Sequence, residues 1–449
     1  TLTDTPDLPN HQRAILNFEI PSGLLDGAYE EGGELDLYAE FAADYIVRRD
    51  PEGRWCEWNG SAYVNPLAGI VGGAVYDIKE APNGDIYLCG KFTSAGGIAG
   101  TYKIARWSKA NQAWEGLGVT SNNSYVNEIE CMTFDANGNL YIGGDFKNIG
   151  GITGANYVAK YDIGTGVWSK IGSGISYSSG TTFVQAIEIS PDGTIFIGGQ
   201  FDTAGGNTDC NFIAYFDKTA NDWRPLSVGL NNAVWDLKFI SDGRLLIGGQ
   251  FTNADGTNGD YICWWDGTAF KSFTDLGATE LNGYVLSIGI NPTGIIIIGG
   301  QFTNAGGDPN ADGIAAWRGN NWGSLMAGGI SRISGSFSVN SLFCLSNSNI
   351  YISGVFDHVG DLEVDRVAKS SNGVWQRLDI DLPEFNVPAR ALLEASDGTL
   401  YLGGDFSTTI SGENAISAGV DLNVSSGSAN TYPFISVMGP GKLNSIINY

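Results

Sequence analysis

The sequence predicts an all-β protein built as a seven-bladed β-propeller. Three observations carry this: a glycine-rich, charge-poor composition, one strand phrase repeated at a near-constant period, and tight-turn pairs between the repeated strands. Of 449 residues, 43% are hydrophobic, 12% aromatic and 16% charged, where an ordinary globular domain carries about 25% charged residues. Glycine fills 64 positions, about twice the usual share of roughly 7%. That much apolar material buries a large core, and so much glycine with so little Lys and Glu disfavours helices.

The phrase is a short apolar strand, a small-residue pair, one variable residue and Phe. It reads IYLCGKF, LYIGGDF, IFIGGQF, LLIGGQF, IIIGGQF, IYISGVF and LYLGGDF, ending at Phe92, Phe146, Phe201, Phe251, Phe302, Phe356 and Phe406. The intervals are 54, 55, 50, 51, 54 and 50 residues, a period expected of four-stranded propeller blades. Upstream of each Phe runs an inner strand anchored at Ile78, Ile129, Ile187, Leu237, Ile288, Leu342 and Leu392; all but Ile129 lie 14 residues before the Phe. Between the two strands stand Asn83-Gly84, Asn137-Gly138, Asp192-Gly193, Asp242-Gly243 and Asp397-Gly398, with Thr293-Gly294 and Ser348-Asn349 as variants. Such pairs close β-hairpins. Downstream, third strands such as YKIARWS, YVAKYD, FIAYFD and YICWWD lead to fourth strands carrying Trp114, Trp168, Trp223, Phe270, Trp322 or Trp375.

The seventh copy, ending at Phe406, lacks obvious third and fourth strands. The segment Cys56-Glu57-Trp58-Asn59-Gly60-Ser61-Ala62-Tyr63 matches Cys263-Trp264-Trp265-Asp266-Gly267-Thr268-Ala269-Phe270 of the fourth copy. The expectation is that the N-terminal side supplies the outer strands of the last blade and clasps the ring over 54–407.

The double glycine beside an aromatic strand, followed by Tyr-Asp and Trp, resembles the kelch repeat. The wording IGGDF, YD, W, LG also resembles the propeller repeats of secreted and cell-surface proteins. Both resemblances cover about 54–407 and imply a fold; propellers host enzymes, adhesins and scaffolds alike.

The flanks differ from the repeats. Segment 1–53 is acidic, with ten acids against Arg13 within 1–45, and is expected to be a docking segment or a solvated arm. Segment 408–449 is nearly uncharged and alternates like sandwich strands. Its phrase Asn423-Val424-Ser425-Ser426-Gly427-Ser428-Ala429-Asn430-Thr431-Tyr432-Pro433-Phe434-Ile435-Ser436-Val437, then Gly439-Pro440-Gly441 and Ile446-Ile447-Asn448, resembles the C-terminal domain of siphovirus-type tail components. That resemblance implies a structural component of a phage tail, baseplate or tail-derived injection device.

The formal charge of −25 repels nucleic-acid phosphates and anionic lipids, so neither is an expected partner. No run approaches the 18 apolar residues of a membrane span, and the start has no basic-then-apolar leader pattern. Thr1 fits removal of an initiator Met, and a cleaved signal peptide leaves the same trace. Cys56, Cys89, Cys131, Cys210, Cys263 and Cys344 stand singly, outside the paired spacing of zinc sites, and are expected as mostly buried thiols, which favours synthesis in the cytoplasm.

Catalytic chemistry is thin. Only His11 and His358 offer imidazoles, too few for a copper site of the kelch oxidase type. Asp77, Glu128 and Asp236 are placed as equivalents two residues after the strand Val and are expected to line the channel as solvated groups. The SPDG at 190–193 and the Asp135-Ala136-Asn137-Gly138-Asn139 stretch are expected as turns rather than a sialidase box or a calcium loop. The SAGG, NIGG, TAGG and NAGG loops lack the helix and the basic residue of a phosphate cradle. The residue before each Phe varies (Lys91, Asp145, Gln200, Gln250, Gln301, Val355, Asp405), which argues against one ligand shared by all repeats. Tyr76 and Trp235 start inner strands, where packing between blades or stacking on sugars is their use. No catalytic, cofactor-binding or metal residue is assigned and no cofactor is expected. The functional expectation is a non-enzymatic virion tail component that displays a host glycan- or protein-binding face and contacts other tail proteins and copies of itself. The alternative is a secreted or cell-surface adhesin or scaffold, and after it a glycan-cleaving propeller enzyme.

Overall fold

A computed structural model describes most of residues 70–377 and 389–404, together with short strands at 47–49, 55–58, 63–64, 407–408, 416–417 and 420–423. The chain divides into a small unit, Thr1–Asn65 with Gly441–Tyr449, and a large one, Pro66–Pro440. In the small unit Trp55–Trp58 pairs antiparallel with Val47–Arg49 on one side and Tyr63–Val64 on the other.

The large unit is all-β, a β-propeller of successive antiparallel sheets. The first sheet runs Val75–Glu80, Ile86–Gly90, Ile104–Ser108, Ala113–Gly116, and the second Val126–Phe134, Leu140–Phe146, Val158–Asp162, Val167–Lys170. The third to sixth open with the inner strands Phe183–Ile189, Val234–Phe239, Val285–Ile290 and Ser338–Cys344, and each has four strands in the same order. A further sheet holds Ala389–Glu394 and Thr399–Gly404. All six expected aromatic anchors, Trp114 to Trp375, fall in fourth strands, and Trp223 is fully buried.

Two steric facts explain the small-residue pair. A Cβ on Gly143 would sit 2.6 Å from Val184 Cγ1 of the next sheet, and one on Gly144 would sit 2.5 Å from the Glu128 carbonyl oxygen. The first position therefore lets adjacent sheets close, and the second lets the inner strand bulge against its partner. Every inner strand does bulge near its start, as between Val75 and Asp77 or Val234 and Asp236. Each phrase Phe from Phe92 to Phe356 is fully buried behind that bulge; Phe406 lies outside the described residues. At the other end of the hairpins the turn glycines Gly84, Gly138, Gly193, Gly243 and Gly294 adopt the left-handed conformation, Gly84 at φ +86° for example; Asp397-Gly398 lies outside the described residues.

The closing of the last sheet corrects the sequence reading. The third strand beside Thr399–Gly404 is Val420–Asn423, in register from Thr399↔Asn423 to Leu402↔Val420. It comes from the segment expected to begin a separate sandwich, while the Trp58 strand pairs as described above. The physical reason is chain economy: Val420 follows Gly404 after one loop, so pairing it closes a far shorter loop than recruiting a strand from the opposite end of the sequence. The hairpin likeness of WCEWNGSAY to ICWWDGTAF specifies a turn and says nothing of which strand lies outside it. The tail-like phrase after Asn423 lies outside the described residues.

Each inner strand packs on the next, and Ala389–Glu394 packs on Val75–Glu80. A Cβ on Gly403 would lie 2.7 Å from Val75 Cγ1. The Ser396 amide and hydroxyl donate to the Glu80 carboxylate at 2.7 and 2.6 Å. Ala391, Leu393 and Tyr401 share one core with Val75, Ile78 and Trp107.

Candidate functional site

The groups facing the common axis of the inner strands are set by the bulge. In register, Asp77 opposes Cys89, Asp236 opposes Gly248, Ser287 opposes Gly299 and Cys131 opposes Gly143. Glu128 is therefore not the equivalent of Asp77 and Asp236, as the sequence suggested. The second inner strand carries an additional register shift between Ile129 and Cys131, which makes Met132 the counterpart of Ile78. The signal was present, since Met132 lies 14 residues before Phe146, as the anchors of the other copies do.

Asp77 and Asp236 are staples between sheets. Asp77 accepts from the amide of Ile78 at 2.9 Å and from that of Met132 in the second sheet at 2.9 Å. Asp236 accepts from Leu237 at 2.8 Å and from Ile288 of the fifth sheet at 2.7 Å. Ser287 does the same through its hydroxyl, accepting from Leu342 of the sixth sheet at 3.1 Å. Burial pushes the Asp236 carboxyl up to about 6, against the pull of Lys238 and the Ile288 amide. Lys79 Nζ lies 3.0 Å from Asp77 Oδ1. Burial alone would lower Lys79, but Asp77, with Asp236 and Glu188 from other sheets, outweighs it and holds the ammonium above the ordinary lysine value. Its side chain is still 43% exposed, so solvent around the axis screens these charges.

Bulge residues stand beside this belt, Tyr76, Glu130, Gln185, Trp235, Leu286, Asn340 and Arg390 at the equivalent position of each sheet and Asn127 as a second one in the second sheet. The Arg390 guanidinium lies 5.2 Å from the Tyr76 ring centroid, and the Tyr76 hydroxyl donates to Glu128 Oε2 at 3.2 Å. Lys91 Nζ reaches the same Glu128 oxygen at 3.4 Å, and Asn127 Nδ2 donates to Asp145 at 2.7 Å. Glu130 is pushed up to about 7 by burial and by Glu128, with Arg390 and Lys91 pulling the other way. Neither Gln185 Oε1 nor Trp235 Nε1 has a hydrogen-bond partner. Sequence reasoning picked out Tyr76 and Trp235 but missed Glu130, Gln185 and Arg390, because an extra bulge residue leaves no trace in hydrophobic periodicity.

The remaining candidates are structural. Asp135 Oδ1 accepts the amides of Asn137 and Asn139 at 2.9 and 2.8 Å, and its Oδ2 accepts the Asn139 side-chain amide and the Tyr141 hydroxyl. The carboxylate is thus filled by its own turn. Thr194 donates its amide to both Ser190 Oγ and Asp192 Oδ1 at 3.0 Å, the hairpin role expected of SPDG. The Gly-Gly loops fold back over the outer tryptophans: a Cβ on Gly96 would lie 2.5 Å from Trp114 Cδ1. His358 Nδ1 lies 2.8 Å from Asp357, whose carboxylate also accepts the Ile333 amide; these bonds outweigh burial and hold Asp357 below the usual carboxylate range. Cys89, Cys131, Cys210 and Cys263 are buried thiols and Cys344 is half-buried. His11, Asp405 and the Cys56 side chain lie outside the described residues. Among the described residues no three His, Cys, Asp or Glu side chains gather to hold a metal ion, and no helix is long and apolar enough to cross a membrane.

A family model described as the Rax2 C-terminal beta propeller domain matches residues 177–322. No curated protein matches the chain. Among solved structures, the chain is similar to the extracellular domain of a hybrid two-component system from B. thetaiotaomicron (12% identity, TM-score 0.47), covering 78% of this chain and 39% of that one. It is similar to virginiamycin B lyase from Staphylococcus aureus (10% identity, TM-score 0.47) over 75% of this chain and 96% of the lyase. It is also similar to YCF48 bound to D1 peptide (15% identity, TM-score 0.46), covering 76% and 92% of the two chains.

Proposed function

We propose that this chain is a non-enzymatic structural component of a phage tail, baseplate or tail-like injection device, in which a kelch-like ring of seven sheets displays a host-surface binding face. The observation that carries the non-catalytic part is the use made of the axial carboxylates. Asp77 and Asp236 each bond two backbone amides, one of them in the next sheet. Their oxygens are engaged in holding sheets together. The tail assignment rests on the C-terminal phrase from Asn423 to Asn448. A rigid ring suits display, since its scaffold holds loops in fixed positions and oligomerisation multiplies weak contacts.

An antibody to this chain should label the tail or baseplate of purified particles, and labelling absent from any tail structure would refute the assignment. Labelling of a bacterial surface instead would favour the secreted or cell-anchored adhesin, the reading suggested by the IGGDF, YD, W, LG wording. Host polysaccharide incubated with the protein should release no reducing ends; release that disappears in Asp236→Asn would make the chain a glycan-cleaving enzyme.

A further inference from the structure

The bulge positions hold a chemistry that packing does not use. Among the described residues of the inner strands, the buried side-chain polar atoms without a hydrogen-bond partner belong to Gln185 and Trp235. These two occupy equivalent positions in successive sheets, each being the unpaired residue of its bulge. One offers an acceptor, Gln185 Oε1, and the other a donor, Trp235 Nε1. A buried polar group left unpaired costs stability and calls for an explanation. Both side chains are half-buried.

Their companions in the same register are the Tyr76 ring under Arg390, the Asn340 amide and Glu130. Aromatic faces beside planar amides and a carboxyl are the groups that recognise a sugar ring: the rings stack on its C–H faces, and the amides bond its hydroxyls. A hydroxyl both donates and accepts, so it satisfies an unpaired acceptor and an unpaired donor together. More aromatic surface stands on the loops that enter the inner strands, with Tyr125 60% and Tyr284 38% exposed. The charge around the site argues for an uncharged ligand. Glu128, Glu130 and Asp145 stand against Lys91 and Arg390, and a chain of net charge −25 repels polyanions.

We infer that the axial end of the propeller where the inner strands begin binds one uncharged sugar residue of a host-surface glycan, through Trp235 and Gln185, the equivalent bulge residues of two successive sheets. This deepens the display function proposed above and rests on that reading. The full chain would be applied to an array of defined oligosaccharides ending in neutral hexoses, N-acetylhexosamines or uronic acids. The expected result is binding to one or more of the uncharged ends, weakened at least tenfold in Trp235→Phe, which removes the Nε1 donor and keeps a ring, and in Gln185→Ala. The urea midpoints of both variants should not fall below the parent value, and Lys218→Ala, on a remote turn, should bind as the parent does. Binding unchanged in both variants, binding to uronic acids alone, or a blank array would overturn the site. Particle labelling distinguishes the two failures, because a labelled tail with a blank array rejects this sugar site and leaves the tail assignment standing.

Discussion

Asp236 shows what a single residue contributes. Its carboxyl is pushed up to about 6 by burial, above the ordinary Asp value near 4. A group whose folded value is raised contributes stability that is fully present below its unfolded value and is lost as pH rises through the folded one. For Asp236 that window runs from about 4 to 6 and is worth up to roughly 3 kcal/mol. Glu130, pushed up to about 7, has a window of its own from the ordinary Glu value near 4 up to about 7, which the parent and an Asp236 variant share. The parent protein should therefore lose stability relative to Asp236→Asn between about pH 4 and pH 6, as read by urea unfolding at each pH. Parallel pH profiles for the two proteins would contradict this account of the axial carboxylates. The staple role itself was hidden from the sequence, because its partner is a backbone amide of the neighbouring sheet, which no residue type encodes.

At the scale of elements, the small-residue pair does two jobs that its spacing alone does not separate. Gly143 admits Val184 from the next sheet, and Gly144 admits the bulged carbonyl of Glu128. Gly143→Ala should cost about 1–3 kcal/mol, the usual range for overpacking a close contact, and denaturant midpoints would show it. The same alanine at Gly97, where an added Cβ meets nothing within 4 Å, should cost only what its φ of +65° imposes. Strand existence, hairpin turns and the aromatic of each fourth strand were legible in the sequence, since each depends on local patterning and turn chemistry. The additional bulge in the second inner strand showed only as the 14-residue spacing of Met132 from Phe146. It adds a residue without disturbing the apolar run around Ile129 and Met132, so Glu128 was aligned with Asp77 where Cys131 belongs.

The whole molecule depends on how the last sheet is completed and what it packs against. Sequence likeness pointed to the N-terminal hairpin around Trp58, whereas Val420–Asn423 takes the place beside Thr399–Gly404. Homologous wording specifies local geometry; which chain segment fills an edge is decided by loop length and by the unpaired strand within reach. The consequence is a seam between the last and first sheets that carries a shared core and the Ser396–Glu80 hydrogen bonds. The most direct test of that seam is a double-mutant cycle on Gly403 and Val75, whose Cγ1 would stand 2.7 Å from a Cβ at position 403. Gly403→Ala should destabilise the parent protein by about 1–3 kcal/mol and cost less in the Val75→Ala background, where the nearest methyl at 2.7 Å is gone while the Val75 Cβ position at 2.9 Å remains, giving a measurable coupling as found for residues in contact. Strictly additive effects of the two substitutions would mean that the last sheet does not pack on the first, and would contradict the shared core of these two sheets.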